Sequence, residues 1–123
     1  MGSLESVTML VVEDEWLVRM ELVDAFEAEG CDILESASAE DALHALKTTQ
    51  GVSLLMTDIR LLGTLTGWDL AEQARQLNPQ LAVVYLSANA PEAARIVHGG
   101  IFLEKPAMMS NVIQAAKQVL QVA

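Results

Sequence analysis

Five side chains in this sequence stand where apolar segments stop, and their types suit phosphoryl and cation chemistry. Val52-Ser53-Leu54-Leu55-Met56-Thr57 runs into Asp58, and Met9-Leu10-Val11-Val12 runs into Glu13-Asp14. Leu81-Ala82-Val83-Val84-Tyr85-Leu86 runs into Ser87, and Ile101-Phe102-Leu103 runs into Glu104-Lys105-Pro106. Carboxylates brought together repel: two unit charges 4 Å apart interact by about 4 kcal/mol at an effective dielectric near 20. A site holding Glu13, Asp14 and Asp58 must therefore raise a pKa or take a cation. An all-oxygen donor set favours a hard ion such as Mg2+, which leaves coordination positions for a phosphate oxygen. Asp58 could then attack phosphorus and form an aspartyl-phosphate. Lys105 could neutralise one phosphoryl oxygen as a point charge, and Ser87 could donate a hydrogen bond to another.

This chemistry requires the four segments to end at one edge. Apolar runs without alternation read as strands buried on both faces, the habit of parallel sheets under helices. Sites in such sheets form outside the carboxyl ends of the strands. Between the runs lie helical patterns. Val18, Leu22, Ala25 and Phe26 share one face of a helix over Glu15 to Glu29, flanked by Leu17 and ended by Gly30. Asp32-Ile33-Leu34 begins a short strand. Ser38 is placed to cap a second helix, with Asp41 at its third position. A glycine-containing loop runs from Ile59 to Gly67, and the next helix covers Trp68 to Leu77, its inner face Leu70, Ala71, Ala74 and Leu77. Pro91 to Val97 reads as a short helix and Met108 to Val122 as the last. The order predicted is five strands alternating with five helices, a parallel sheet covered on both faces.

Composition removes several alternatives. The chain has 123 residues, enough for one domain, and 52% are hydrophobic, which argues against disorder. A formal charge of −10 opposes the positive footprint that nucleic acid demands. Cys31 is the single cysteine, so no intrachain disulfide forms and a reducing, cytoplasmic setting is expected. No apolar stretch reaches the roughly 18 residues that a bilayer requires, so no membrane role is expected. Met1 to Ser6 loosely fits the myristoylation pattern at Gly2 and reads more simply as an N-terminal extension or cloning remnant. His44 and His98 read as surface residues. Trp16 and Trp68 begin helices beside the acidic edge and read as partly exposed packing.

The four motifs Val11-Val12-Glu13-Asp14-Glu15, Thr57-Asp58-Ile59, Leu86-Ser87-Ala88 and Glu104-Lys105-Pro106 together resemble those of bacterial two-component response-regulator receiver domains (CheY-like). The likeness runs from about Thr8 to Leu120, in a single domain taken as 7–123 with 1–6 as the extension. It implies a flavodoxin-like, doubly wound sheet of order 2-1-3-4-5. By position it makes Asp58 the phosphoacceptor. Glu13, Asp14, Asp58 and the backbone carbonyl of Arg60 become Mg2+ ligands, with Mn2+ able to substitute. Ser87, Lys105 and the Ala88 amide become phosphoryl contacts, and Ser87 with Phe102 the switch pair. It implies a histidine kinase or histidine phosphotransfer protein as donor, a downstream partner or fused output domain, and room for a homodimer. It implies a module that catalyses its own phosphorylation and dephosphorylation, not a turnover enzyme.

Two departures stand out. Gly67 lies nine residues after Asp58, one more than usual, and the loop lacks the common proline. Ser87 precedes Lys105 by 18 positions, short of the usual spacing by about four residues, roughly one helical turn. The fourth helix is therefore expected to be short or irregular. Phe102 lacks the hydroxyl of a tyrosine, and Ala107 stands where an aromatic is common. Two other readings remain on the residues alone: an interaction module of the same fold that signals without phosphate, and a metal-dependent phosphohydrolase. Against the latter, no cap and no second acid/base residue close after Asp58 can be found.

Overall fold

A computed structural model describes residues 3–122. The five strands are β1 (Thr8–Val12), β2 (Asp32–Ser36), β3 (Val52–Thr57), β4 (Ala82–Ser87) and β5 (Ile101–Glu104). They pair in the order β2-β1-β3-β4-β5, all parallel. The helices are α1 (Trp16–Ala28), α2 (Ala39–Thr48), α3 (Gly67–Leu77) and α4 (Met109–Val122).

The continuous apolar strands serve two cores because successive side chains point to opposite faces. Met9, Val11, Leu54, Met56 and Val84 pack against Leu22 and Phe26 of α1 and Val112 and Ala116 of α4. Leu10, Val12, Leu55, Val83 and Tyr85 pack against Ala42 and Leu43 of α2 and Leu70, Ala71 and Ala74 of α3. Burial on both sides removes any need for polar alternation, which is why the runs could be read as buried strands.

Caps fix where two helices begin. Ser38 Oγ accepts from Asp41 N at 3.1 Å. A reciprocal capping box starts α3: Thr66 Oγ1 accepts from Asp69 N at 3.2 Å, and Asp69 Oδ2 accepts from Thr66 N at 2.9 Å. That helix starts at Gly67, one residue before the expected Trp68.

The structure corrects several expectations. Among the described residues there are four α-helices, not five. Between β4 and β5 the chain makes only a single 3-10 turn, at Ala93–Arg95. Trp68 is 3% exposed, not partly exposed: its ring packs against Tyr85 and Phe102 in the α2/α3 core. Leu77 is exposed at the last turn of α3, as is Leu17 in α1. Leu4, placed by the sequence in an extension, is fully buried in the α1/α4 core, and its carbonyl faces Cys31 Sγ at 3.5 Å. Burial pushes the Cys31 thiol pKa up, the mark of an inert packing residue. Gly2 lies outside the described residues. No described helix is long and apolar enough to cross a membrane.

Candidate functional site

Register alone brings the candidate residues to one edge. Val12 pairs with Thr57, so Glu13 and Asp58 leave adjacent strands side by side. Thr57 pairs with Tyr85 and Ser87 with Glu104, which places Ser87 and Lys105 at the same end. Short backbone bonds extend the sheet past its last pairs: Asp58 N donates to Val12 O at 3.0 Å, and Lys105 N donates to Ser87 O at 2.9 Å. The Lys105–Pro106 peptide is cis.

Carboxylate oxygens of Glu13, Asp14 and Asp58 all lie within 4.8 Å of one another. Lys105 Nζ bridges two of them, donating to Glu13 Oε1 at 2.7 Å and Asp58 Oδ2 at 2.8 Å. The remaining oxygens accept backbone donors: Glu15 N reaches Glu13 Oε2 at 3.1 Å, and Ile59 N reaches Asp58 Oδ1 at 2.6 Å. Glu13 is the most enclosed of the three, 1% exposed. Burial raises its pKa, outweighing the lowering by Lys105 and the Glu15 amide. Burial by itself would lower the Lys105 pKa. Its hydrogen bonds to Asp58 and Glu13 outweigh that and raise it, so the ammonium is held charged. Asp14 is half-buried at the mouth.

This donor set fits a small hard cation. An octahedral ion with ligands at about 2.1 Å needs oxygens about 3 Å apart for neighbours and about 4 Å for opposites. Three carboxylate oxygens within 4.8 Å of one another are close to that spacing.

The other expected residues are placed less decisively. Ser87 is buried, and its Oγ accepts from Asn89 N at 3.2 Å. Ala88 and Arg60 are exposed beside the site. Phe102 is half-buried and stacked on Trp68, with ring centroids 5.7 Å apart and planes at 15°; Tyr85 closes the group at 6.3 Å.

Some contributors carried no readable signal. Arg19 Nη1 donates to the Glu13 carbonyl at 2.6 Å while its Nε donates to Glu35 at 3.2 Å, tying α1 to the acidic strand end. A bond to a backbone carbonyl leaves no trace in residue type. Gly67 could have been suspected: a Cβ there would lie 2.0 Å from the Asp58 carbonyl oxygen, so only glycine lets α3 start against the phosphoacceptor candidate's backbone. The Thr66-x-x-Asp69 spacing was a visible helix-start signal that the expected boundary missed.

Comparison with known proteins agrees with this geometry. A family model described as the response regulator receiver domain matches residues 9–117. The sensor kinase CckA of Brucella abortus is 30% identical over 121 residues, covering 94% of this chain and 13% of that protein. The aerobic respiration control protein ArcA of Escherichia coli K12 is 32% identical over 89 residues, covering 72% of this chain and 36% of that protein. The chain thus spans well under half the length of these relatives. Among solved structures, a response regulator receiver protein from Sinorhizobium medicae superposes with a TM-score of 0.90 at 31% identity, covering 97% of this chain and 98% of that one. The receiver domain of the hybrid histidine kinase CckA gives 0.79 at 30% identity, covering 93% and 99%. Fold, strand-end chemistry and family match converge: the chain belongs to the response-regulator receiver domain family of two-component phosphorelay signalling.

Proposed function

We propose that Asp58 is the phosphoacceptor of this receiver domain and that Glu13, Asp14, Asp58 and the Arg60 carbonyl hold Mg2+, or Mn2+ in its place. The observation that carries the reading is Lys105 Nζ, within hydrogen-bond reach of both Glu13 and Asp58 at the mouth of a three-carboxylate cluster. An Asp58 oxygen attacks phosphorus of a phosphohistidine on a kinase or phosphotransfer protein. The P–N bond breaks as the P–O bond forms, and the histidine nitrogen leaves with the electron pair. Bound Mg2+ supplies charge neutralisation to the transferring group. Lys105 moves from Asp58 Oδ2 to a phosphoryl oxygen, and the Ser87 hydroxyl and Ala88 amide donate to the others. Ile59 N keeps Asp58 Oδ1 oriented. Turnover is limited to the domain's own phosphorylation and dephosphorylation.

The domain comprises residues 7–123, to which Leu4 adds a core contact. It works in the cytoplasm, passes its signal to a downstream partner or fused output domain, binds no nucleic acid directly, and is compatible with a homodimer. Ser87 and Phe102 form the switch pair, with Phe102 working against Trp68. Incubation with Mg2+ and a small phosphodonor should add one phosphoryl group, read by intact mass. Equal uptake by Asp58→Asn would overturn the assignment. The second reading, a phosphate-independent interaction module, is favoured by the reduced β4–β5 connection. Failure of the domain to bind fluoroberyllate with Mg2+ would select it.

A further inference from the structure

The loop after Asp58 carries Arg60, and its outer part is held by the packing of Leu61 and Leu65 on the α2/α3 core and by a small set of polar ties. Ile59 is well anchored, its N–H on Asp58 Oδ1 at 2.6 Å and its carbonyl accepting from Gly67 N at 2.7 Å. Beyond it the chain swings into solvent, with Arg60, Leu62, Gly63 and Thr64 exposed. There three donors converge on one oxygen. Thr64 N at 3.1 Å, Thr64 Oγ1 at 3.0 Å and Leu65 N at 3.3 Å all donate to Glu40 Oε2. Glu40 sits in the first turn of α2, two residues after the Ser38 cap, and Ser38 itself forms an isolated parallel bridge with Leu62. Gly63 has φ 90°, and a Cβ on it would lie 2.6 Å from Glu40 Oε1. The loop therefore leaves a side chain off where the carboxylate passes.

An acidic residue in a helix's first turn is ordinarily explained by the helix dipole. That explanation does not account for an oxygen satisfied by a loop 24 residues away in sequence. We propose that Glu40 is a positioning residue for the ion site, holding the loop that carries Arg60, whose carbonyl the proposed function makes an ion ligand. The inference rests on the ion assignment made under the proposed function. Glu40 touches neither ion nor phosphate; it acts through the backbone, in the way that outer hydrogen-bond partners tune metal sites.

The test compares the unaltered domain with Glu40→Ala and Glu40→Gln. Mg2+ affinity is followed by amide chemical shifts, together with hydrogen exchange at Thr64 and Leu65 and the thermal midpoint. Direct hydrogen-bond partners of metal ligands are worth about tenfold or more in affinity; Glu40 acts further out, through the loop backbone, so Glu40→Ala should weaken Mg2+ measurably but by less than that, and speed exchange at both amides. Its unfolding midpoint should stay nearly unchanged, because the residue is exposed. Glu40→Gln keeps an oxygen acceptor and should recover most of the affinity and protection. Mg2+ binding unchanged in Glu40→Ala overturns this inference while the ion assignment stands. Equal weakening in both variants means that only charge mattered, which also overturns it. Absence of Mg2+ binding by the unaltered domain sinks the ion assignment and this inference with it.

Discussion

Two connections leave neighbouring strands at the same edge and depart from the family's spacing in opposite directions. The β3–α3 loop is one residue longer than usual, and the β4–β5 connection is about one helical turn shorter. The long loop stays put because carboxylates from both sides hold it: Glu40 takes Thr64 and Leu65, and Asp69 takes Thr66. The short connection has no helix to pack, so it is strapped to α3. Arg95 donates to Asp69 at 2.9 Å and to Glu72 at 2.8 and 3.2 Å, Arg75 donates to His98 O at 2.9 Å, and the Tyr85 hydroxyl accepts from Val97 N at 3.1 Å. Asp69 belongs to both systems. The difference lies in what stands beside the tethers: Leu61 and Leu65 of the long loop pack half-buried on the α2/α3 core, whereas beside the short connection the fully buried Trp68 joins Tyr85 and Phe102 in one aromatic group.

The sharpest way to break the comparison is to remove the Trp68 ring. Trp68→Ala should destabilise the domain by about 4 kcal/mol, in the range of buried aromatic truncations. That corresponds to an unfolding midpoint lower by about 15 °C. Thermal unfolding checks it, and a fall of only a few degrees would mean that the aromatic group beside the short connection is not a main support of the fold. Next in size is Gly67→Ala. The added Cβ collides with backbone that cannot rotate away, a penalty of about 3 kcal/mol. It displaces the Asp58 carbonyl, so phosphate uptake per folded molecule should fall as well as stability. If uptake per folded molecule is unchanged, the approach of α3 to Asp58 is only structural.

The smallest effect sharpens the comparison. Arg95→Ala removes the strap, but its carboxylate partners are about a third exposed or more, so solvent screening limits the loss to about 1 kcal/mol. The sign with pH follows from Asp69. The Thr66 N–H first, then Arg95, hold its pKa below the ordinary 3.8. A depressed carboxyl contributes stability that is fully present above the ordinary value and is lost as pH falls through the lowered one. Arg95→Ala should therefore also flatten the acid-side loss of stability, measured by denaturant unfolding between neutral pH and pH about 3. An acid limb of unchanged slope would show that the strap adds nothing to Asp69 beyond its capping box.

Both departures were visible as counts of residues, but their structural answers were not. The shortened spacing from Ser87 to Lys105 foretold a reduced fourth helix, and the structure has one 3-10 turn there. That Trp68 would be buried depends on Tyr85 and Phe102, which come from two other strands, and no local pattern around Trp68 records them. Glu40 looked like any acidic residue in a first helical turn. Its partners lie in a loop whose path depends on where α2 and β3 sit.

The sequence by itself determined the strands, their order of chemistry and the family. Buried parallel strands must be apolar along their whole length, and the site residues sit at the first polar positions where such runs end. Only the tertiary structure decided which carboxylate is enclosed, where Lys105 reaches, and what holds the two unusual connections. Burial and hydrogen bonding are set by segments distant in the chain, through backbone groups that every residue shares. Glu13 and Asp14 are adjacent and both acidic, yet one is enclosed against Lys105 and the other stands at the mouth.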